Sequence, residues 1–363
     1  INYMDVFNNP TLKVESIVGR VEVSVKELES YKVCKGDVFF TRTSETVEEI
    51  GIAAVILDEP EKTVYSGFVL RARPINDSLD NLFKAYCFAS SYFRQQVISR
   101  ASYTTRALTN GPSLSASLLA RPPIKEQKAI GQALGDVDYL QKKLKRLIKK
   151  KRNLKKATMQ QLLTGQVRLK NFTDPWVKKN IGQISEFVDG VKTSGGDKNY
   201  LEIGDIDVNY KSYNLSKKDK LSVPGAVKVP PNTLLISRVR PTRGAITITK
   251  SSLYVSSAFC RIKLSNKFLF YLLSQLKFFI YLGENSMGGT YPTCRDETIL
   301  NYETYVPNDH NEQIEISKIL SDMDDEINML QSRYMKILDL KKAMMQTLLI
   351  GKIRIKIKET IND

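Results

Sequence analysis

The stretch from Glu126 to Arg168 occurs a second time, 186 positions later and without a gap, as Glu312 to Arg354. Glu126-Gln127 returns as Glu312-Gln313, Leu154-Lys155-Lys156-Ala157 as Leu340-Lys341-Lys342-Ala343, Met159-Gln160 as Met345-Gln346, and Gly165 as Gly351. A match of this length in constant register makes the chain a tandem duplication. Any fold for it must therefore house the same element twice.

Each copy reads as one long helix. Pro122-Pro123 precedes Glu126, an acid suited to a first helical turn. Gly165 and Gly351 stand where a C-terminal glycine belongs. Apolar residues recur at three- and four-residue steps: Ile130, Leu134, Val137, Leu140, Leu144, Leu147 and Leu154 in the first copy, and Ile316, Leu320, Met323, Ile327, Leu330, Tyr334, Ile337 and Leu340 in the second. This is close to a heptad seam, with Lys151 and Arg333 as faults. A helix of about 38 residues is roughly 57 Å long. Each copy offers its twin an apolar stripe, so side-by-side antiparallel pairing is expected. Leu134, Val137, Leu144, Leu154, Leu320, Leu330, Ile337 and Leu340 are the expected pairing and partner-docking positions.

Charge narrows the partners. Fifty-five basic residues against 39 acidic ones give a formal charge of +16, which points to nucleic acid or an acidic surface. The excess is concentrated: ten lysines and arginines lie between Lys142 and Lys156, whereas the second copy carries Asp322, Asp324, Asp325 and Glu326 near its start. Cys34, Cys87, Cys260 and Cys294 show no C-x-x-C spacing and His310 is the single histidine, so neither a zinc site nor a disulfide framework is expected. The chain contains no apolar run long enough to span a bilayer, and a cytoplasmic location is expected.

Two divergent units flank the helices. In the first, Tyr31–Arg42 reads as a turn at Lys35-Gly36 feeding a buried strand, Gly51–Leu57 and Val64–Arg73 as strands and Asn81–Ser99 as a helix, followed by the polar loop Ser102–Leu114. In the second, Ala226–Arg238 has the same turn-then-strand character, with Pro230-Pro231-Asn232 before Leu234–Arg238. Gly244–Thr249 and Leu253–Leu264 read as strands and Phe268–Leu282 as a helix, followed by the loop Met287–Thr298. Thr41-Arg42 aligns with Ser237-Arg238, Gly67-Phe68 with Ala258-Phe259, Thr104 with Thr290, and Tyr3–Val6 with Ile203–Ile206. The first unit then has no counterpart of Thr173–Tyr200, and a missing N-terminal segment is expected.

The segments PPIKEQKAI (Pro122–Ile130), LKKATMQQLLTG (Leu154–Gly165), NEQIEISKIL (Asn311–Leu320) and LKKAMMQTLLIG (Leu340–Gly351) resemble the specificity subunit of type I restriction–modification systems. The second copy departs slightly, with Val306–Asn311 where the family often has Pro-Pro. The resemblance implies an α+β protein: two α/β target-recognition domains joined by two long antiparallel coiled-coil-like helices with an internal pseudo-twofold repeat. The implied boundaries are residues 1–121, 122–170, 171–306 and 307–357. Each domain would read half of a split, asymmetric DNA site. The helices would set the spacing and dock two modification (methyltransferase) subunits, to which restriction subunits add. The chain itself would be non-catalytic and hold no cofactor; S-adenosylmethionine, ATP and Mg would serve the partner subunits. Consistent with this, the sequence has no G-x-x-x-x-G-K-[ST] loop and no Asp/Asn-Pro-Pro-aromatic methylase signature. A scaffold that binds only proteins, and a self-contained DNA enzyme, are the alternatives.

Arginine reads guanine bidentately and threonine can touch the thymine methyl. The DNA-contact candidates are loop residues after strands: Arg42, Thr43, Tyr103, Thr104, Thr105 and Arg106 in the first unit, and Arg238, Arg240, Arg243, Thr290, Tyr291 and Arg295 in the second. The run SRVRPTRG (Ser237–Gly244) stands out, since Pro241 and Gly244 help to fix a turn bearing three arginines. Any of them could meet phosphate instead, as half or more of protein–DNA hydrogen bonds do. Two domains on one face of the duplex imply half-sites roughly 10 bp apart, centre to centre.

Overall fold

The computed structural model describes residues 1–193, 199–215 and 225–356. The chain forms two compact units of mixed helix and strand, Ile1–Leu147 with Leu330–Asp363, and Ile148–Met329. Among the described residues no helix is long and apolar enough to cross a membrane.

Each unit is built on one wholly buried strand, Val38–Thr41 in the first and Thr233–Ser237 in the second. Alternation along the strand sends side chains to both faces of the sheet. Val38 and Phe40 face a helical layer with Phe83, Tyr86 and Phe93, while Phe39 joins Val6, Leu12 and Ile56 on the other side. In the second unit Leu234 and Ile236 meet Phe268, Leu272 and Phe278, and Leu235 meets Leu201, Val227 and Phe259. The flanking strands are antiparallel in both units: Ala53–Ile56 and Val69–Ala72 in the first, Ile246–Ile248 and Phe259–Lys263 in the second. The turn before each central strand needs a left-handed residue. Gly36 supplies it in one unit (φ +82°) and Asn232 in the other (φ +59°).

The expected helices Asn81–Ser99 and Phe268–Leu282 are each two helices. Asn81–Cys87 and Ser91–Ser99 are separated by the buried Ser90, whose hydroxyl accepts from the Phe93 amide and caps the second helix. Phe268–Leu273 and Leu276–Glu284 break at Ser274-Gln275.

The repeated stretches form helices Ile124–Leu162 and His310–Leu348, 39 residues each. In each unit the start of one helix and the end of the other close the core. Ile130 and Leu134 lie with Leu348 and Leu349 beneath Phe83 and Tyr86. Ile316 and Leu320 lie with Leu162 and Leu163 beneath Phe268 and Leu272. Burying each such side chain is worth about 1.5–3 kcal/mol. Gly131 allows the first helix to approach the Leu82-Phe83 backbone closely; a Cβ there would fall 2.9 Å from the Phe83 nitrogen.

The polar contacts explain the repeated motif. Glu126 is buried and takes a two-pronged bond from Arg354, and Glu312 takes the same from Arg168 at 2.7 and 2.8 Å. The Arg354 hydrogen bonds hold the Glu126 carboxyl below the usual carboxylate range. Gln127 donates to the carbonyls of Ser78 and Pro122 and accepts from the Asp80 amide, tying the helix start to the segment that opens the helix Asn81–Cys87. Farther along, Tyr86 donates to Asp138 at 2.9 Å and Tyr271 to Asp324 at 2.9 Å. Asp138 also pairs with Lys341, and Asp324 with Lys155. Burial first, then the neighbouring aspartate, pushes both phenols up. Within each unit, contact positions rise along one helix as they fall along the other, so the helices are antiparallel there.

Helix pairing does not use every expected leucine. Leu144 and Ile337 are buried in the first unit, and Ile148 and Ile327 in the second. Leu154 and Leu340, however, are 52% and 51% exposed. Lys151 and Lys155 take the inward positions beside Leu154 and pair with Glu326 and Asp324; Lys341 does the same beside Leu340. The seam thus turns from apolar to ionic near each helix end. Leu134 and Leu320 are fully buried, but in the unit cores. Val137 and Leu330 are half-buried.

Arg168→Ala would leave Glu312 buried without its cation. We expect a loss of about 3 kcal/mol, read as a lower urea midpoint for the second unit at unchanged slope.

Candidate nucleic-acid interface

The central strand of each unit runs out of the core into a small exposed ladder. In the first unit Arg42 follows Thr41, and Thr43-Ser44 pairs with Ala107-Leu108, which pairs with Ser102-Tyr103. The hairpin tip is Thr104–Arg106, closed by the Thr104 amide donating to the Arg106 carbonyl at 3.3 Å. The ladder gathers all six first-unit candidates. Tyr103 is 59% exposed, Thr104, Thr105 and Arg106 are exposed, and Thr43 is half-buried. Arg42 is exposed and its guanidinium donates to the Gly67 carbonyl at 3.4 Å. Phe68, absent from the sequence-derived set, is 68% exposed next to this contact.

The second unit repeats the ladder. Val239 bridges Thr293, which bridges Met287, and the Cys294 amide donates to Arg238 as the Thr109 amide does to Arg42. These pairs relate the two ladders by 185 positions, not 186: Ser102 and Leu108 correspond to Met287 and Thr293. The expected equivalence of Thr104 with Thr290 is therefore corrected. Thr105 matches Thr290, and Arg106 matches Tyr291. One extra residue between Cys294 and Glu312 restores the helix register. A similar one-residue correction applies at the next strand, where the Arg42 and Arg238 amides donate to Phe68 and Ala258 respectively.

The SRVRPTRG run is a left-handed turn. Arg240 sits at φ +47°, a costly conformation for a side-chain-bearing residue. Its amide donates to the Pro292 carbonyl at 2.7 Å, and its guanidinium stacks 4.3 Å from the Tyr291 ring centroid. Pro241–Arg243 completes a 3-10 turn ending at Gly244 (φ +72°), whose carbonyl accepts from the Lys211 ammonium at 2.6 Å. Burial lowers the Lys211 pKa. Sequence reasoning missed Lys211, because a lysine in the polar run DVNYKSYN carries no mark of burial. Arg243, Thr290, Tyr291 and Arg295 are exposed, and Arg295 precedes the helix Asp296–Leu300.

Arg238 differs from the other candidates. It pairs with Asp296 at 3.2 Å and donates to the Ser257 carbonyl, the counterpart of Arg42 with Gly67. Its Nε and the Asp296 Oδ1 are buried without partners among the described residues. The position of Asp296 is Gly111 in the first unit, so Arg42 has no such acid. Arg238 is an internal tie, whereas Arg42 and Arg240 keep guanidinium groups on the ladder face.

In each of the two units of mixed helix and strand the central strand extends into a ladder, and the start of one long helix and the end of the other close the core. Residues 173–337 match the family model described as type I restriction modification DNA specificity domain. Across 97% of its length the chain is 26% identical to the type I restriction enzyme MjaX specificity subunit of Methanocaldococcus jannaschii, covering 89% of that protein. Across 49% it is 23% identical to 40% of the type I restriction enzyme EcoKI specificity subunit of Escherichia coli. Its fold is similar to the type I restriction–modification S subunit from M. genitalium, with a TM-score of 0.56, 13% identity, and coverage of 88% and 84% of the two chains. The chain is thus similar, over nearly its whole length, to a type I restriction enzyme specificity subunit, and its second unit carries the DNA specificity domain match.

Arg243→Ala is expected to weaken DNA binding by about 1–3 kcal/mol with no change in melting temperature. Arg238→Met is expected to lower the melting temperature first, because Asp296 loses its cation. Binding titrations beside thermal melts separate the two; the reverse pattern would exchange their roles.

Proposed function

We propose that this chain is the DNA sequence-recognition subunit of a type I restriction–modification complex. Residues 1–121 and 171–306 act as target-recognition domains, each reading one half of a bipartite, asymmetric site. Residues 122–170 and 307–357 act as coiled-coil-like spacers related by a pseudo-twofold repeat. The observation that carries this reading is the contrast between frame and surface. The Glu–Arg and Tyr–Asp–Lys contacts are the same in both units. The ladder tips instead offer Thr104-Thr105-Arg106 in one unit and Gly289-Thr290-Tyr291 in the other. A shared frame with different side chains on one exposed face suits two different half-sites.

Arg42, Thr43 and Tyr103–Arg106 then face the first half-site, and Arg240, Arg243, Thr290, Tyr291 and Arg295 the second. Leu154 and Leu340, equivalent and half-exposed, suit the docking of two like modification subunits. Methylation and cleavage belong to the modification and restriction subunits, which use S-adenosylmethionine, ATP and Mg in the cytoplasm. The target adenine would be flipped into the modification subunit, since a stacked base is out of reach.

A methylation map tests this. The chain, assembled with its cognate modification subunits, is given random-sequence DNA and S-adenosylmethionine, and N6-methyladenine is located by sequencing. A split motif, methylated on both strands and gapped by unspecified bases, is expected. A single continuous motif would contradict the two-domain reading, and methylation by the chain alone would move the chemistry into it.

A further inference from the structure

Within the second unit, the lysine-rich end of the first long helix lies beside the recognition turn. Lys149, Arg152 and Lys156 are exposed. At 100° per residue they fall within about 60° of one another, in a line about 10 Å long. The inward lysines of the same segment are occupied, Lys151 by Glu326 and Lys155 by Asp324. Among the described residues Lys149 and Lys156 have no ion-pair partner. Asp324 and Glu326 of the second helix are thus engaged at the seam, and the outer line remains a positive edge.

That line is joined physically to the recognition face. Arg152 donates to the Tyr210 hydroxyl at 2.8 Å and lies 4.9 Å from its ring centroid. Tyr210 stays 49% exposed in a turn held by Asp207, whose carboxylate accepts from the Asn209 and Tyr210 amides. The next residue is Lys211, which holds the Gly244 carbonyl at the end of the Arg240–Arg243 turn. The helix edge and the arginine turn are therefore neighbours through one short loop.

We propose that Lys149, Arg152 and Lys156 form a sequence-independent phosphate track that continues the Arg240–Arg243 turn and grips the DNA backbone outside the half-site. The proposal rests on the DNA-recognition reading above. DNA is favoured over an acidic protein because most of the edge is not duplicated: Lys149 and Arg152 correspond to Met335 and Leu338 in the second helix, and only Lys156 keeps a basic counterpart, Lys342. A surface docking two like subunits would be present in both copies, as Leu154 and Leu340 are.

Counterion release makes the track measurable. Each phosphate contact contributes about −0.9 to the slope of log K against log salt on duplex DNA. The complex with modification subunits is titrated over a salt series with two duplexes, one carrying its mapped motif and one scrambled. Lys149→Gln/Lys156→Gln is expected to flatten the slope by about 1.8 on both duplexes, leaving their affinity ratio unchanged. Adding Arg152→Gln should bring the loss to about 2.7. An unchanged slope in a correctly assembled complex overturns the track. So does a variant that no longer joins the modification subunits by native mass spectrometry, which would make the edge a protein-docking surface. If the wild-type complex does not discriminate between the duplexes at all, the recognition reading itself fails, independently of the variants.

Discussion

Each unit depends on a carboxylate in the first turn of one long helix meeting an arginine just past the end of the other. Glu126 with Arg354 and Glu312 with Arg168 place two chain segments, 228 and 144 residues apart, against one core. The carboxylates are nearly inaccessible, so an unpaired one would be costly, and pairing demands that both helix ends arrive together. Leucines beside the arginines then fill the same core, and Tyr86 and Tyr271 reach across to Asp138 and Asp324. Neither recognition fold is complete without a piece of the other repeat's helix. This gives a physical reason for the helices to remain alike while the units they close diverge.

The long helices were legible because a repeat reveals what a single copy would hide, and the turns before the two central strands were legible in Lys35-Gly36 and Pro230-Pro231-Asn232. The helix breaks at Ser90 and Ser274 were not, since a serine inside an apolar pattern looks like an ordinary polar position until its hydroxyl finds a backbone partner, the Phe93 amide for Ser90 and the Phe270 carbonyl for Ser274. Heptad counting placed Leu154 and Leu340 in the seam. It could not anticipate that Lys151, Lys155 and Lys341 turn inward, because the acids that receive them lie on the other helix. The exposed ladders were foreseen as loops after strands. The pairing of Arg238 with Asp296 was not legible, because Asp296 is far away in sequence. The one-residue shift between the ladders was masked by a compensating residue before Glu312.

The two faces of the first helix divide its basic residues by role. Those turned toward the second helix pair with Glu326 and Asp324, while Lys149 and Lys156, turned outward in the second unit, have no ion-pair partner among the described residues, and Arg152 between them reaches the loop beside the arginine turn. The sequence shows only a crowd of lysines; the helical phase, anchored by Leu144 and Ile148, separates structural from available charge. On the ladders the same logic separates Arg238, held by Asp296, from Arg240, stacked on the exposed Tyr291.

The central claim is that the paired helices act as the ruler between half-sites. Three heptads inserted into both helices at equivalent points, after Leu147 and after Arg333, would lengthen the pair by about 32 Å while keeping its apolar register. That is close to one turn of duplex, so each ladder would meet its groove in the same rotational phase. Mapping N6-methyladenine with this variant and its modification subunits should return the same two half-sites, separated by roughly 9–10 additional unspecified base pairs. Unaltered spacing, or altered half-sites, would contradict the account.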